Sequence, residues 1–451
     1  MEVFESKVFM KTYGCSFNQL DSEIMLGKLK KENFKIVSVP ENANLIIINS
    51  CTVKNLAETK FFQDIRKYTN QGKKIMVSGC ITQAEESYLN TKLKNISVIG
   101  TNDLDKVIHV AKQTLLDNPI QIISKLGRKK ELEERRIEKE KLRLLSPKVK
   151  KNKLIEIIPI NEGCLNTCSF CKTKQARGNL FSYSPEIIKQ SMETAIKNGA
   201  KEIYLTSQDT GCYGFDIGTN LPNLLKTLLE IPGEYKIRIG MGNPNHFKHI
   251  IDEILDIMIM DKRVYKFLHI PLQSGSNRIL NEMRRMYLLE DYKSIVVKAK
   301  MKIPNITLAN DLIVAYPTET DEEFKQTINS LKWGVNVLNF SRFWLRPNTP
   351  ADKMYEKKDF IDGLTSKARA KILKEKFMEI ATRQNKLWIG WKGKIIITGY
   401  GTNGTDTVIG RNEYYKPIIL SCNEGKPGEI IDVEIISSNW KIFKGKKIKI
   451  Q

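Results

Sequence analysis

The 451-residue sequence predicts an α/β protein in three parts: an amino-terminal parallel α/β domain, a central partial (β/α)6 barrel and a small OB-like carboxyl-terminal β-barrel. Three observations predict it. Short apolar runs alternate with helical patterns over residues 1–125. The same strand-then-helix order returns from about residue 154 to residue 350. From residue 389 to the end the runs are β-rich, cut by Gly, Asn and Pro, and without helical period.

In the first part, 1–125, the strands are "VFMKTYGC", "NLIIINSCTV" and "KKIMVSGC". Helical spacing marks "DSEIMLGKLKKENF", a segment after Ala57, and "NDLDKVIHVAKQTLL". Such alternation implies a parallel sheet covered on both faces, with the carboxyl ends of its strands along one edge. Cys15, Cys51 and Cys80 each close one apolar run, so they are expected to meet at that edge. The next segment, 126–153, reads as a charged linker: from Arg128 to Lys153 it has twelve basic and five acidic residues and runs as a solvated helix towards a proline.

The central part, 154–388, has strands in "LIEIIPINEG", "EIYLTSQDTG", "KIRIGMGNP", "KFLHIPLQSGS", "ITLANDLIVAYP" and "VNVLNFSRFWLRP". A closed barrel takes about eight units. The six found here predict an open partial barrel, with its chemistry at the carboxyl ends of the strands, followed by a Lys-rich helix over 365–388. The last part, 389–451, predicts a small barrel of a kind that often binds nucleic acid.

A net charge of +22 and a pI near 9.4 point to an acidic polymer as partner. The plainer alternative is an even spread of lysine. The sequence has no run of about 18 apolar residues, and its first residues show neither an apolar signal core nor a transit-peptide bias. The expectation is a cytoplasmic protein that contacts no membrane. In that reducing compartment clustered cysteines point to metal or catalysis rather than to disulfides.

The run "NEGCLNTCSFCKTKQARG" sets Cys164, Cys168 and Cys171 in a C-x3-C-x2-C spacing. Zinc sites pair their ligands and add a second pair further on. No second pair follows here, and His109, His246, His249 and His269 are not at ligand spacing. Three thiolates in one loop suit three irons of a [4Fe–4S] cube whose fourth iron stays open to a ligand. The alternative is three buried or zinc-bound cysteines. Cys212 reads as an incidental thiol and Cys422 as structural.

This motif after the first strand of a β/α barrel, with Phe170 before the last cysteine, resembles the radical S-adenosylmethionine superfamily. The resemblance extends further. "KTYGCSFNQLDSE", "NSCTVKNLAE" and "SGCITQA" are similar to the three cysteine segments of the methylthiotransferases, and "GCLNTCSFCKTKQARGNL" with "LTSQDTGCYGFDIGTNLP" is most similar to their archaeal and eukaryotic threonylcarbamoyladenosine branch. It implies two [4Fe–4S] clusters and S-adenosyl-L-methionine as cofactors. Catalytic Cys164, Cys168 and Cys171 would hold one cluster, and Cys15, Cys51 and Cys80 the auxiliary one. It also implies a TRAM-like RNA-binding barrel, the tRNA anticodon stem-loop as substrate, and an electron donor and a sulfur source, both unidentified.

The implied reaction replaces the C2 hydrogen of N6-threonylcarbamoyladenosine 37 by a methylthio group. Rival substrates are isopentenyladenosine in tRNA and an aspartate of a ribosomal protein. A rival of another class is a non-catalytic, metal-containing RNA-binding protein. Strand-end polar residues are the candidates for S-adenosylmethionine binding: Gln208, Asp209, Gln273, Ser274 and Asp311, with Arg284 or Arg285 for its carboxylate. The alternative for each is a turn residue capping the next helix. Tyr400, Tyr414 and Tyr415 are candidates for stacking on an RNA loop, with core or surface packing the alternative for each. The sequence departs from the family pattern at Ala315, Thr318 and Asn348, where glycine is common.

Overall fold

The computed structural model of the chain describes residues 6–52, 55–125, 131, 134–402 and 404–449. It has two compact units, one of residues 1–151, 157–165 and 171–191, the other of 152–156, 166–170 and 192–451.

The first unit is built on a six-stranded parallel sheet in the order 35–36, 7–12, 45–50, 74–79, 97–99 and 121–122. Leu45–Ser50, with the sequence LIIINS, is buried at every position, as a central strand covered on both faces must be. Its alternate side chains feed two cores. Leu45 and Ile47 pack with Leu20, Ile24 and Leu29 of helix Ser16–Lys31 and with Val107 and Val110 of helix Val107–Leu115. Ile46 and Ile48 pack with Phe61 and Ile65 of helix Asn55–Asn70. Cutting one such side chain to alanine costs about 2–5 kcal/mol, so the strand ends sit on a stiff base. Helix Ser16–Lys31 starts before the apolar period at Asp21, because its first turns bury polar residues: Asn18, Asp21 and Ser22.

The charged stretch corrects the reading of a solvated helix. Residues 126–130 and 132–133 lie outside the described residues, but further along Glu140, Arg143 and Leu144 are buried. Charge does not keep Arg143 in water, because Asp21 and Glu162 pair with it inside the fold.

In the second unit, Glu202–Thr206 pairs in parallel with Lys236–Ile239, and strand Ile155–Pro159 begins there at Ile155 and Glu156. A second sheet has Phe267–His269, Thr307–Val314 and Val337–Arg342, all parallel. Single parallel bridges, Ile237 to Val264 and Met241 to His269, join the two sheets. The six expected strands are present in an open arrangement. Helix Gly363–Lys386 leads on to a closed five-stranded barrel in the order 392–400, 407–411, 417–421, 443–447 and 430–438. Its core is Ile395, Ile397, Val408, Ile418, Val433, Ile435 and Phe443.

The barrel is fastened to the strands beside it. Lys266 N–H donates to the Glu413 carbonyl at 2.9 Å, and Thr307 Oγ1 to the Tyr414 carbonyl at 2.6 Å. Tyr415 packs among Tyr204, Tyr265 and Phe267. Tyr414 and Tyr415 are therefore half-buried packing residues, the alternative open to each, whereas Tyr400 is 71% exposed.

Ala315, Thr318 and Asn348 all adopt left-handed φ, at 57°, 62° and 61°. The backbone thus keeps a conformation that glycine takes freely, and each Cβ there is strained by about 1–2 kcal/mol. Replacing Ala315 by glycine is expected to raise unfolding stability by about 1 kcal/mol, read by denaturant titration. A loss of stability would show that the turn is not strained.

Candidate functional site

Parallel register brings the three amino-terminal cysteines together. Thr12 lies beside Asn49, and Ser50 beside Gly79, so the chain leaves three neighbouring strands at one level. Cys15 precedes helix Ser16–Lys31, Cys51 follows strand Leu45–Ser50, and Cys80 opens helix Cys80–Ala84. Two glycines permit the approach. A Cβ on Gly14 would lie 2.5 Å from the Cys51 Cβ, one on Gly79 would lie 2.3 Å from the Ser50 carbonyl, and both glycines have positive φ.

The Cys51 thiol is hydrogen-bonded with each of its neighbours, Cys15 and Cys80. That bond brings the Cys15 thiol down to about 6. The same bond, with the Arg177 guanidinium behind it, holds Cys80 below its ordinary value, while Cys51 is pushed well up. Two sulfurs are thus biased towards thiolate, the form that binds metal. Three converging sulfur donors beside a buried cation fit an iron–sulfur cluster.

Behind the sulfurs lies a buried ionic network that sequence reasoning missed. Arg177 Nη2 donates to Asp21 Oδ2 at 2.6 Å and to Asn18 Oδ1 at 3.1 Å. Asp21 also accepts from Arg143, whose Nε reaches Glu162 Oε1 at 2.5 Å. Lys139 and Tyr183 close on the same Glu162. Burial alone would raise the Glu162 carboxyl, but Arg143, Lys139 and Arg177 together hold it far below the usual carboxylate range. The only signal in the sequence was the charge itself, which pattern reading assigns to solvent.

The second cysteine run lies between strand Asn161–Glu162 and helix Thr173–Arg177. Cys164 and Cys171 are half-exposed, and Cys168 is buried. The middle of the loop is tied down: Ser169 N–H donates to the Met283 carbonyl at 3.0 Å, and Ala351 N–H to the Ser169 carbonyl at 2.8 Å. Arg285 Nη1 donates to the Cys168 sulfur at 3.2 Å, Nη2 to the Pro271 carbonyl at 3.4 Å, and Nε to the Tyr287 hydroxyl at 3.1 Å. Three free thiols with a guanidinium on one of them are again a donor set that fits a cluster.

The polar candidates fall along the strand ends of the second unit but differ in what they touch. Asp209 is a clasp. Its Oδ1 accepts the Gly211 and Asn243 amides at 3.0 and 2.9 Å, and its Oδ2 meets His246 Nδ1 at 2.7 Å and Asn166 Nδ2 at 3.4 Å. Cys212, fully buried, donates to the Asp209 carbonyl at 3.2 Å. Asp209, Cys212 and His246 place one ligand-type atom each within 4.8 Å of one another. With both Asp209 oxygens already accepting, the trio is a hydrogen-bonded bracket between loops rather than a cation site.

Ser274 is fully buried and accepts the Ser276 amide at 3.3 Å, so its hydroxyl is used in a turn. Gln273 and Arg284 have left-handed φ of 73° and 53°. Such strain gathers where a side chain must be aimed. Asp311 Oδ1 accepts from His269 Nε2 at 3.1 Å and from Asn339 Nδ2 at 2.8 Å, and Gln208 is half-buried at the end of its strand.

Asp21→Asn removes one of the two carboxylates facing the buried guanidinium groups. It is expected to cost about 3–5 kcal/mol of unfolding free energy, measured by denaturant titration. A cost below about 1 kcal/mol, the range of an exposed pair, would show that the network is solvated.

The comparisons with known proteins agree with this geometry. Residues 7–100 match the family model "Uncharacterized protein family UPF0004", and residues 158–331 match the Radical SAM superfamily. A solved radical S-adenosylmethionine methyltransferase from Kitasatospora setae shares the fold, with a TM-score of 0.53 at 12% identity over 77% of each chain. The human threonylcarbamoyladenosine tRNA methylthiotransferase is 38% identical over 98% of this chain and 74% of its own length. The probable threonylcarbamoyladenosine tRNA methylthiotransferase of Pyrococcus horikoshii is 37% identical over 95% of this chain and 96% of its own. Matched over nearly its whole length at this identity, the chain belongs to the threonylcarbamoyladenosine tRNA methylthiotransferase family.

Proposed function

We infer that this protein is a radical S-adenosylmethionine enzyme that replaces the C2 hydrogen of N6-threonylcarbamoyladenosine 37 in tRNA by a methylthio group. The observation that carries the reading is the meeting of Cys15, Cys51 and Cys80 at one sheet edge, in a chain that also carries the C-x3-C-x2-C run. Cys164, Cys168 and Cys171 would hold one [4Fe–4S] cluster, and Cys15, Cys51 and Cys80 the other. When bound, the clusters and S-adenosyl-L-methionine supply the one-electron chemistry that removes a hydrogen from carbon.

That chemistry answers a real obstacle. The C2 hydrogen is not acidic, so no positioned side chain can remove it as a base. The chain's own residues hold and orient. Arg285 donates to the Cys168 sulfur and fixes its place in the loop. Asp209 locks the loops at the strand ends through its four donors. Gln208, Gln273, Arg284 and Asp311 are the groups proposed to meet the polar ends of S-adenosylmethionine, while Asp209, Ser274 and Arg285 support them from behind.

On the substrate side, a net charge of +22 supplies phosphate contacts with steep salt dependence. The exposed Tyr400 of the small barrel offers a stacking face to an unpaired base. The reaction also requires an electron donor and a sulfur source. No helix among the described residues is long and apolar enough to cross a membrane. Eight free cysteines and a tRNA substrate favour work in the reducing cytoplasm.

The test is mass spectrometry of tRNA nucleosides. Cells lacking the protein are expected to lose 2-methylthio-N6-threonylcarbamoyladenosine and to regain it with the wild-type gene but not with Cys164→Ala. That variant is also expected to stop cleaving S-adenosylmethionine to 5′-deoxyadenosine. An unchanged nucleoside peak in the cells lacking the protein, or gain of the group on isopentenyladenosine instead, would overturn the assignment.

A further inference from the structure

Arg177 lies six residues after Cys171, yet its guanidinium sits beside Cys80 of the other cysteine set. It reaches that position because helix Thr173–Arg177 packs on helix Cys80–Ala84, burying Cys80, Ala84 and Ala176 together. Cys80 and Arg177 also share one acceptor, Asn18 Oδ1, at 3.4 and 3.1 Å. The residue is 3% exposed. Nη2 of its guanidinium donates to Asn18 and Asp21, whereas Nε and Nη1 are buried and find no oxygen or nitrogen acceptor among the described residues, which leaves the sulfur of Cys80 as the group they face. Buried N–H groups of a cation are costly to leave unmade, so two such groups next to three thiols call for an acceptor.

The charge balance points the same way. Among the described residues Lys139, Arg143 and Arg177 pair with two carboxylates, Asp21 and Glu162, so the third positive charge is left for the sulfurs beside Arg177 to meet. An anionic, sulfur-rich group on the three cysteines would supply both the acceptors and the missing negative charge.

We propose that Arg177 is a positioning residue for the amino-terminal cluster: its Nε and Nη1, buried beside Cys80, donate to the sulfur of a [4Fe–4S] group on Cys15, Cys51 and Cys80, retaining it and raising its reduction potential. The proposal rests on the reading of that corner as a cluster site. A cation and N–H donors at the sulfurs stabilise the reduced, more negative state.

The experiment uses the full chain with Cys164, Cys168 and Cys171 all replaced by alanine, so that only the amino-terminal cluster is read. Iron content, the rate of iron loss to a chelator and the midpoint potential followed by electron paramagnetic resonance are compared with and without Arg177→Met. The expected result is about tenfold faster iron loss and a shift of the potential to more negative values. Equal rates and equal potentials would overturn the proposal.

Should Arg177→Met not fold, Arg177→Lys decides, since it keeps the charge facing Asp21 but removes the forked donors. Faster iron loss is expected, and parental behaviour would again overturn the proposal. If the parent with intact Arg177 binds no iron, the cluster reading of the corner fails and the claim for Arg177 falls with it. Iron bound equally by parent and variants removes the claim for Arg177 alone.

Discussion

Three sulfur atoms at the ends of three parallel strands are the constraint around which the amino-terminal unit is arranged. Thiols so close to one another and partly buried are an unfavourable arrangement unless something takes up their charge. The fold pays for the corner with backbone and with ions. Gly14 and Gly79 allow a separation that any Cβ would prevent. Asp21, Arg143, Arg177 and Glu162, all buried, form a network whose members are each costly alone and acceptable together. Helix Ser16–Lys31 gives up part of its apolar face to hold Asn18 and Asp21 against this network.

A similar device recurs in the second unit on a smaller scale. Arg285 places a guanidinium on Cys168, with Tyr287 and the Pro271 carbonyl keeping the fork in position. In both places a cation stands beside a sulfur, and a helix end or turn aims it. Reduction of a cluster adds negative charge, and a fixed cation lowers the cost of that step. The rest of the second unit supplies the stiff strand-end edge and the closed barrel whose exposed Tyr400 faces solvent.

Much of this was legible in the sequence because periodicity and spacing report on backbone. LIIINS could only be a strand buried on both faces, and a cysteine at the end of each of three such runs placed the corner without any geometry. The C-x3-C-x2-C run announced its chemistry directly. What stayed hidden was set by tertiary pairing. Arg143 lies in a segment whose composition demands water, and only Asp21, 122 residues away, makes its burial possible. Arg177 looks like the basic end of a short helix until helix Cys80–Ala84 packs against it. Tyr414 and Tyr415 have the composition of an RNA contact, and their use as a joint between barrel and strands depends on Tyr204 and Phe267, which are distant in sequence. Ala315, Thr318 and Asn348 show the converse: the backbone conformation persists although the residue suited to it is absent.

The central claim is that the strand-end cysteines form a metal centre separate from the one in the loop. Its most direct test is the iron and acid-labile sulfide content of full-length protein prepared without oxygen, beside a form with Cys15, Cys51 and Cys80 replaced by alanine. Two clusters predict about eight irons per chain, falling to about four in the substituted form. About four irons in both would contradict the account and leave the amino-terminal corner as packing alone.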